Sequence, residues 1–159
     1  MKIEKIFISP DFNYKGRGKD FPGDSPTHEL QKVQCDEGKG LVGDRYYNLK
    51  EDFKGQVTFI YKDYLDQMMK DIDHEFPYEA VRRNILVSGM NPLDLVGKKF
   101  RIGSALFLGT EDCTPCGYWS KTIKPGASEW LMENNAGGLR AKVLESGEFS
   151  VGDEMSLVE

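Results

Sequence analysis

Cysteine, histidine and long apolar runs are all scarce in this chain of 159 residues. Its three cysteines are an odd number. With no sustained apolar run or cleavage site across Met1 to Phe7, they point to free thiols in a reducing cytoplasm. The longest apolar stretches, such as Ala105-Leu106-Phe107-Leu108, fall far short of the ~20 residues that a spanning helix needs, so no membrane segment is expected. Basic charge is not in excess either. Lysine and arginine number 21 against 26 acidic residues, a net charge of −5. A broad basic field that would draw in a nucleic-acid backbone or anionic lipid is therefore excluded. Internal repeats and low-complexity tracts are absent.

What is present is the composition of a soluble globular protein, 39% hydrophobic and 30% charged, in a length suited to one domain over residues 1–159. Glycine is abundant at 17 residues, above the roughly 7% average, and most glycines sit at the ends of short apolar runs. That pattern favours many short strands joined by tight turns. Strands are expected over Lys2 to Ser9, His28 to Val33, Gly55 to Tyr61, Arg82 to Ser88, Lys99 to Ile102, Ala105 to Gly109, Leu139 to Leu144 and Glu154 to Val158. Gly103-Ser104 reads as the link of a tight hairpin. Asp11 to Thr27 is a polar excursion with no core-forming pattern. Tyr64, Leu65, Met68, Met69 and Ile72 form one apolar helical face, so the two methionines read as core filling. A shorter helix is expected over Ser128 to Asn134. The expected fold is mainly β with helical additions, a β-barrel or closed sheet.

The most unusual local feature is Cys113-Thr114-Pro115-Cys116. A zinc site would need two further ligands, and Cys35, His28 and His74 are scattered without paired spacing, so no zinc is expected. A thioredoxin-like pair would need a βαβ setting, whereas this motif follows a hairpin. Two buried thiols are the bland alternative. Against it, Asp112, Thr114 and Pro115 are not core residues, and a constrained turn leaving a strand exposes a sulfur to a cleft. Any helix starting after Pro115 would favour thiolate at Cys116. Cys35 reads as incidental.

Arg82-Arg83-Asn84 opens an expected strand. Strand parity places Arg82 and Asn84 on one face and Arg83 on the other. A guanidinium beside a carboxamide suits an anionic, hydrogen-bonding ligand such as a phosphate or pterin, and a solvated arginine pair is the alternative. In Gly137-Gly138-Leu139-Arg140, two glycines allow close backbone approach ahead of Arg140. The segment is either an anion site at Gly138 and Arg140 or a helix end followed by a surface arginine. Gly43-Asp44-Arg45 is either a turn with a local ion pair or a device that aims Arg45 at a phosphate.

Taken in order, these pieces resemble the MOSC family, named for its relation to the C-terminal domain of molybdenum cofactor sulfurases. The matching stretches include Gly40 to Tyr46, Gly55-Gln56-Val57, Arg82 to Val87, Leu95-Val96-Gly97, Phe100 to Gly103, Cys113 to Cys116, Gly137 to Val143 and Val151-Gly152-Asp153. The resemblance implies a β-barrel-centred fold and a cleft for the molybdenum cofactor, molybdopterin with its metal. It also implies a functional cysteine, here Cys116, that ligates molybdenum or carries sulfur. Arg82 and Asn84 fall at cofactor-facing steps, Arg83 at a variable one, and Arg140 matches a late arginine. Asp44 and Arg45 lie in an early loop that shapes or contacts the pocket. The early loop lacks the His-Gly-Gly of many bacterial members, and the chain lacks the N-terminal domain of the mitochondrial amidoxime-reducing relatives.

Two functions follow from the resemblance. One is a molybdenum-cofactor protein that reduces N-hydroxylated small compounds, with electrons from a separate reductase because no flavin or iron–sulfur motif is present. The other is a sulfur carrier that accepts persulfide on Cys116 from a pyridoxal-phosphate-dependent cysteine desulfurase, with Cys113 as the resolving thiol.

Overall fold

Burial on both faces of the central strands dictates the layering. In the computed structural model, which describes residues 1–13, 25–115 and 117–159, the first five strands are β1 (Lys2–Ile8), β2 (His28–Leu30), β3 (Lys32–Asp36), β4 (Gly40–Leu41) and β5 (Val57–Tyr61). Helix α1 (Lys62–Asp71) leads through a 3-10 turn, Tyr78–Val81, to β6 (Ile85–Ser88). A second 3-10 turn, Pro92–Leu95, precedes β7 (Lys99–Ile102) and β8 (Ala105–Asp112). The remaining elements are α2 (Tyr118–Thr122), α3 (Ala127–Glu133), β9 (Leu139–Glu145), β10 (Gly147–Ser150) and β11 (Met155–Val158).

Eight strands form one sheet in the order β11-β7-β8-β9-β5-β6-β1-β2, and β10-β3-β4 form a second. The only parallel pair among them is β5 with β6. A parallel pair needs a crossover rather than a hairpin, and α1 with its following turn supplies it. Residues of opposite parity on β5 and β6 then enter different cores. Val57, Phe59, Ile85 and Val87 join the cluster shared with the small sheet, which includes Phe149 and Val33. Ile60 and Leu86 join the cluster under the helices, with Leu65, Met68, Trp119 and Leu131. The result is a small sheet, a large sheet and a helical layer. Four phenylalanines hold the first core together. Phe100 stacks on Phe107 at 5.5 Å between ring centroids. Phe59 and Phe149 each meet Phe107 edge-on at 5.8 Å.

The molecule is mainly β, a single domain with helical additions, and Met68 packs fully buried as the helical spacing predicts. Strand pairing differs from the expected closed barrel. Among the described residues β2 and β11 remain edge strands, and closure would require a continuous ladder between them. In place of a ladder, an isolated bridge, Lys2 to Glu154, and a few backbone bonds around it join β1 to the segment that enters β11. Beside it the Ile3 amide donates to the Asp153 carbonyl at 2.9 Å. No described helix is long and apolar enough to cross a membrane.

A second difference matters for function. Strand β6 begins at Ile85 rather than Arg82. Arg82 instead caps the turn Tyr78–Val81 with φ 52° and ψ 38°, its amide bonded to Glu79. Left-handed backbone at Arg82 breaks the alternation that strand parity assumed, so Arg82, Arg83 and Asn84 do not take sides as a strand would.

Phe107→Ala removes the ring shared by three of these contacts and should lower unfolding free energy by about 3–5 kcal/mol. Urea denaturation of the purified variant checks this.

Candidate functional site

Gly137 is where the candidate residues meet. It lies between α3 and β9, and a Cβ built on it would fall 2.0 Å from the Cys113 carbonyl oxygen and 2.8 Å from a Pro115 ring carbon. Only glycine permits the Cys113–Pro115 segment to lie this close. Gly138 has φ +103°, and a Cβ there would meet the Phe59 carbonyl oxygen at 2.3 Å. The Cys113 amide donates to the Gly138 carbonyl at 2.7 Å. Arg83 Nε donates to the Gly137 carbonyl at 2.8 Å. One backbone segment thus links the end of β8, the start of β9 and a guanidinium.

Arg83 is held on a second side by Trp119, with its guanidinium carbon 4.5 Å from the ring centroid. Such stacking stabilises by about 0.5–2 kcal/mol. Trp119 is itself fixed, because its indole N–H donates to the Val81 carbonyl at 2.8 Å. Arg83 Nη2 is shut off from solvent and has no hydrogen-bond partner among the described residues. A buried charged donor left this way costs more than the ~1–3 kcal/mol of a neutral one.

Arg45, Arg82 and Arg83 line a cleft of about 100 Å³, together with Tyr46, Phe12 and Trp119. Asp44 does not reach into it. Its buried carboxylate accepts from the Ser9 amide at 3.0 Å, the Tyr46 amide at 3.2 Å and Arg45 Nη1 at 3.2 Å. Asp44 therefore aims Arg45, whose Nη2 donates to the Arg82 carbonyl at 2.9 Å and whose guanidinium carbon lies 4.6 Å from the Tyr46 ring centroid. Burial, followed by the positive charge of Arg45, lowers the pKa of Arg82 from its ordinary value.

The other candidates lie around this centre. Asn84 is buried, and its Oδ1 accepts from the Thr58 amide and hydroxyl, each at 3.1 Å. Its Nδ2 donates to the Phe7 carbonyl at 3.2 Å. These contacts tie β5 to β1 across the start of β6. Arg140 on β9 faces Glu111 at 3.3 Å. Burial there opposes the charge, yet the neighbouring Cys113 sulfur, aided by Glu111, raises the Arg140 pKa. Cys113 is buried directly after β8. Cys116 lies outside the described residues, and the helix after it, α2, has five residues and starts at Tyr118. Among the described residues no group of three or more His, Cys, Asp or Glu side chains comes together to hold a metal.

Arg83 and Trp119 escaped the sequence reading. They are far apart in the chain, and a strand parity that does not exist placed Arg83 on the wrong face. Aromatic Tyr118-Trp119 so soon after a Cys-x-x-Cys was the available signal.

A family model described as the MOSC domain matches residues 45–156. The chain belongs to the MOSC domain family. Arg45, Arg82, Arg83, Cys113, Cys116 and Arg140 all fall inside the matched span, while the polar excursion precedes it. No curated protein matches the sequence. Among solved structures, the YuaD protein from Bacillus subtilis is 20% identical with a TM-score of 0.69, covering 96% of each chain. YiiM from Geobacillus stearothermophilus is 16% identical with a TM-score of 0.72, covering 99% of this chain and 75% of that one. YiiM from Escherichia coli is 16% identical with a TM-score of 0.70, covering 95% and 69%. At these identities the likeness establishes the fold shared with this MOSC protein.

Cys35 lies apart from the Cys113 loop, buried on β3. Burial, together with the charge of Asp36, pushes its thiol up to about 11 from 9.0. The sign is that of an acid kept neutral when folded, so native Cys35 stays protonated until the pH nears 11, whereas the unfolded thiol ionises near 9. Native protein at pH 8 should leave Cys35 unmodified by iodoacetamide, and unfolded protein should lose that protection. Peptide mass mapping of both samples decides it.

Proposed function

We propose that this MOSC protein binds the molybdenum cofactor where the arginine cleft meets the Cys113–Cys116 loop, with Cys116 as the metal ligand. It then reduces a small N-hydroxylated compound in the cytoplasm, taking electrons from a separate reductase. The observation that carries this reading is the Gly137 junction, which joins an anion-seeking guanidinium to the thiol-bearing segment through one carbonyl. The residues fit such a group on two counts. An orphaned, buried Arg83 donor suits an anionic phosphate. Thiol donors suit a soft, sulfur-rich metal centre once deprotonated.

In this reading Arg83 and Arg45 offer donors to the anionic end, while Asp44 and Trp119 hold those two guanidinium groups in place. Arg82 adds positive charge to the same wall. Arg140 keeps a cation beside the Cys113 sulfur, and Gly138 lets β9 approach β5 closely enough to put it there. Asn84 acts from behind, by holding β1, β5 and β6 together under the cleft. When bound, the cofactor supplies two-electron redox chemistry at its metal. The curled eight-stranded sheet is read as a MOSC-type barrel with its seam at the Lys2–Glu154 bridge.

Protein purified from a cofactor-producing host should contain molybdenum and pterin in comparable amounts, and Cys116→Ala should lose the molybdenum while retaining its circular dichroism spectrum. Absence of both from the wild type, or unchanged molybdenum in Cys116→Ala, contradicts the reading. A mass gain of one sulfur on Cys116 after incubation with a cysteine desulfurase, in protein without molybdenum, would favour the sulfur-carrier function instead.

A further inference from the structure

Gln56, the residue before β5, is 2% exposed. Its Oε1 accepts from the Val143 amide at 2.9 Å. That bond fixes the orientation of the carboxamide, because a backbone N–H has to meet an acceptor and the NH2 end offers only donors. No described residue accepts from the Nε2 end. Unlike Arg83 Nη2, this nitrogen is not sealed from solvent, and the space it reaches is an open groove of about 690 Å³ that Gln56 lines. Val143 is bonded at its carbonyl as well, where the Gly38 amide donates at 2.9 Å. A fixed, half-used carboxamide therefore sits in the floor of the groove.

The walls are the turn at 37–39, the loop at 48–52 and residues 142–144 of β9. Two of them are tied together, because the Asn48 amide donates to the Lys39 carbonyl at 3.0 Å. Lys142 and Asp52 pair with each other, which occupies both charges. The side chains of Glu37, Lys39, Asn48 and Glu51 are exposed and have no partner among the described residues. The groove thus offers a donor at its floor and both donors and acceptors around its rim.

That set of groups selects among ligand classes. A cation would find carboxylates at the rim but a donor at the floor. An anion would face Glu37, Glu51 and Asp52, against Lys39 and a Lys142 that is already paired. A flat aromatic ligand would find no ring to stack on among the described lining residues. A hydroxyl group both donates and accepts, so a molecule carrying several of them uses every group present. The volume lies within the ~300–1,000 Å³ of small-molecule sites. We propose that this groove binds a small neutral polyhydroxylated molecule of the sugar class, with Gln56 Nε2 donating to a ligand hydroxyl oxygen at the floor. The groove shares no described lining residue with the arginine cleft, so the proposal stands independently of the cofactor reading.

The test is a nuclear magnetic resonance titration of 15N-labelled protein with a pool of glucose, galactose, mannose, ribose and inositol, read at the Gln56 side-chain NH2 and the Gly38 and Val143 amides. Saturable shifts are expected at all three, with the Trp119 indole signal of the cleft unmoved. Gln56→Glu keeps an oxygen for the Val143 amide and removes the donor. It should weaken binding about three- to tenfold, the size of one hydrogen bond. Glu37→Ala combined with Glu51→Ala changes only exposed side chains and should weaken binding by a similar factor. This pair replaces the Gln56 variant if that variant does not fold. Parallel titrations with inorganic phosphate and with methylammonium should leave the Gln56 signal in place. The proposal is overturned if the pool produces no saturable shift at Gln56, or if the folded variant binds as the wild type does. It is also overturned if phosphate or methylammonium saturates the groove while the sugars do not.

Discussion

A single guanidinium, that of Arg83, is placed by three parts of the chain that are remote in sequence, and the site depends on that placement. Its Nε holds the Gly137 carbonyl, its face lies on Trp119, and its backbone enters β6 directly after the left-handed Arg82. A charge-assisted hydrogen bond stabilises by about 1.5–3 kcal/mol and a cation–π contact by about 0.5–2 kcal/mol. Both are weakened if either partner element shifts. Because Gly137 also receives the Cys113–Pro115 segment at a distance that no side chain would permit, the cysteine loop and the arginine cleft share one support.

The surrounding architecture makes that support stiff. The parallel β5–β6 pair lies at the centre of the large sheet, with one core beneath it and another under the helices. Asn84 bonds to Thr58 on β5 and to Phe7 on β1, so the chain immediately after Arg83 is fixed in a buried polar network. Such a network is costly to break, because each buried group left without a partner carries its desolvation penalty. Arg82 meanwhile fastens the neck of the polar excursion to the same wall. These MOSC residues divide the work: Asn84, Asp44 and Arg82 build the cleft, and Arg83 keeps a buried donor that no described residue satisfies.

Much of the scaffold was legible in the residues. The alternation of Val57, Phe59 and Tyr61, the apolar stripe of α1 and the β7–β8 hairpin at Gly103-Ser104 carry their periodicity locally, and all three form where expected. Strand β10 was hidden, because Glu145-Ser146-Gly147-Glu148 reads as a turn until the pairing of Gly147 to Ser150 with β3 is known. The short β4 and α2 were missed for the same reason. At the site, the residue types were legible but their division of labour was not. Parity at Arg82 to Asn84 failed because a left-handed cap is a tertiary choice that the sequence pattern does not encode. The Arg83–Trp119 contact, between residues 36 positions apart, has no local signature at all.

The claim that the arginine cleft and the cysteine loop share one support is tested most directly by amide hydrogen exchange at Cys113, whose N–H is bonded to the Gly138 carbonyl. Arg83→Gln removes the bond that holds the neighbouring Gly137 carbonyl. The account predicts that exchange at Cys113 then accelerates by an order of magnitude or more, while amides in the centre of β8, such as Phe107, keep their wild-type rates. Unchanged exchange at Cys113 in a folded Arg83→Gln protein would contradict it.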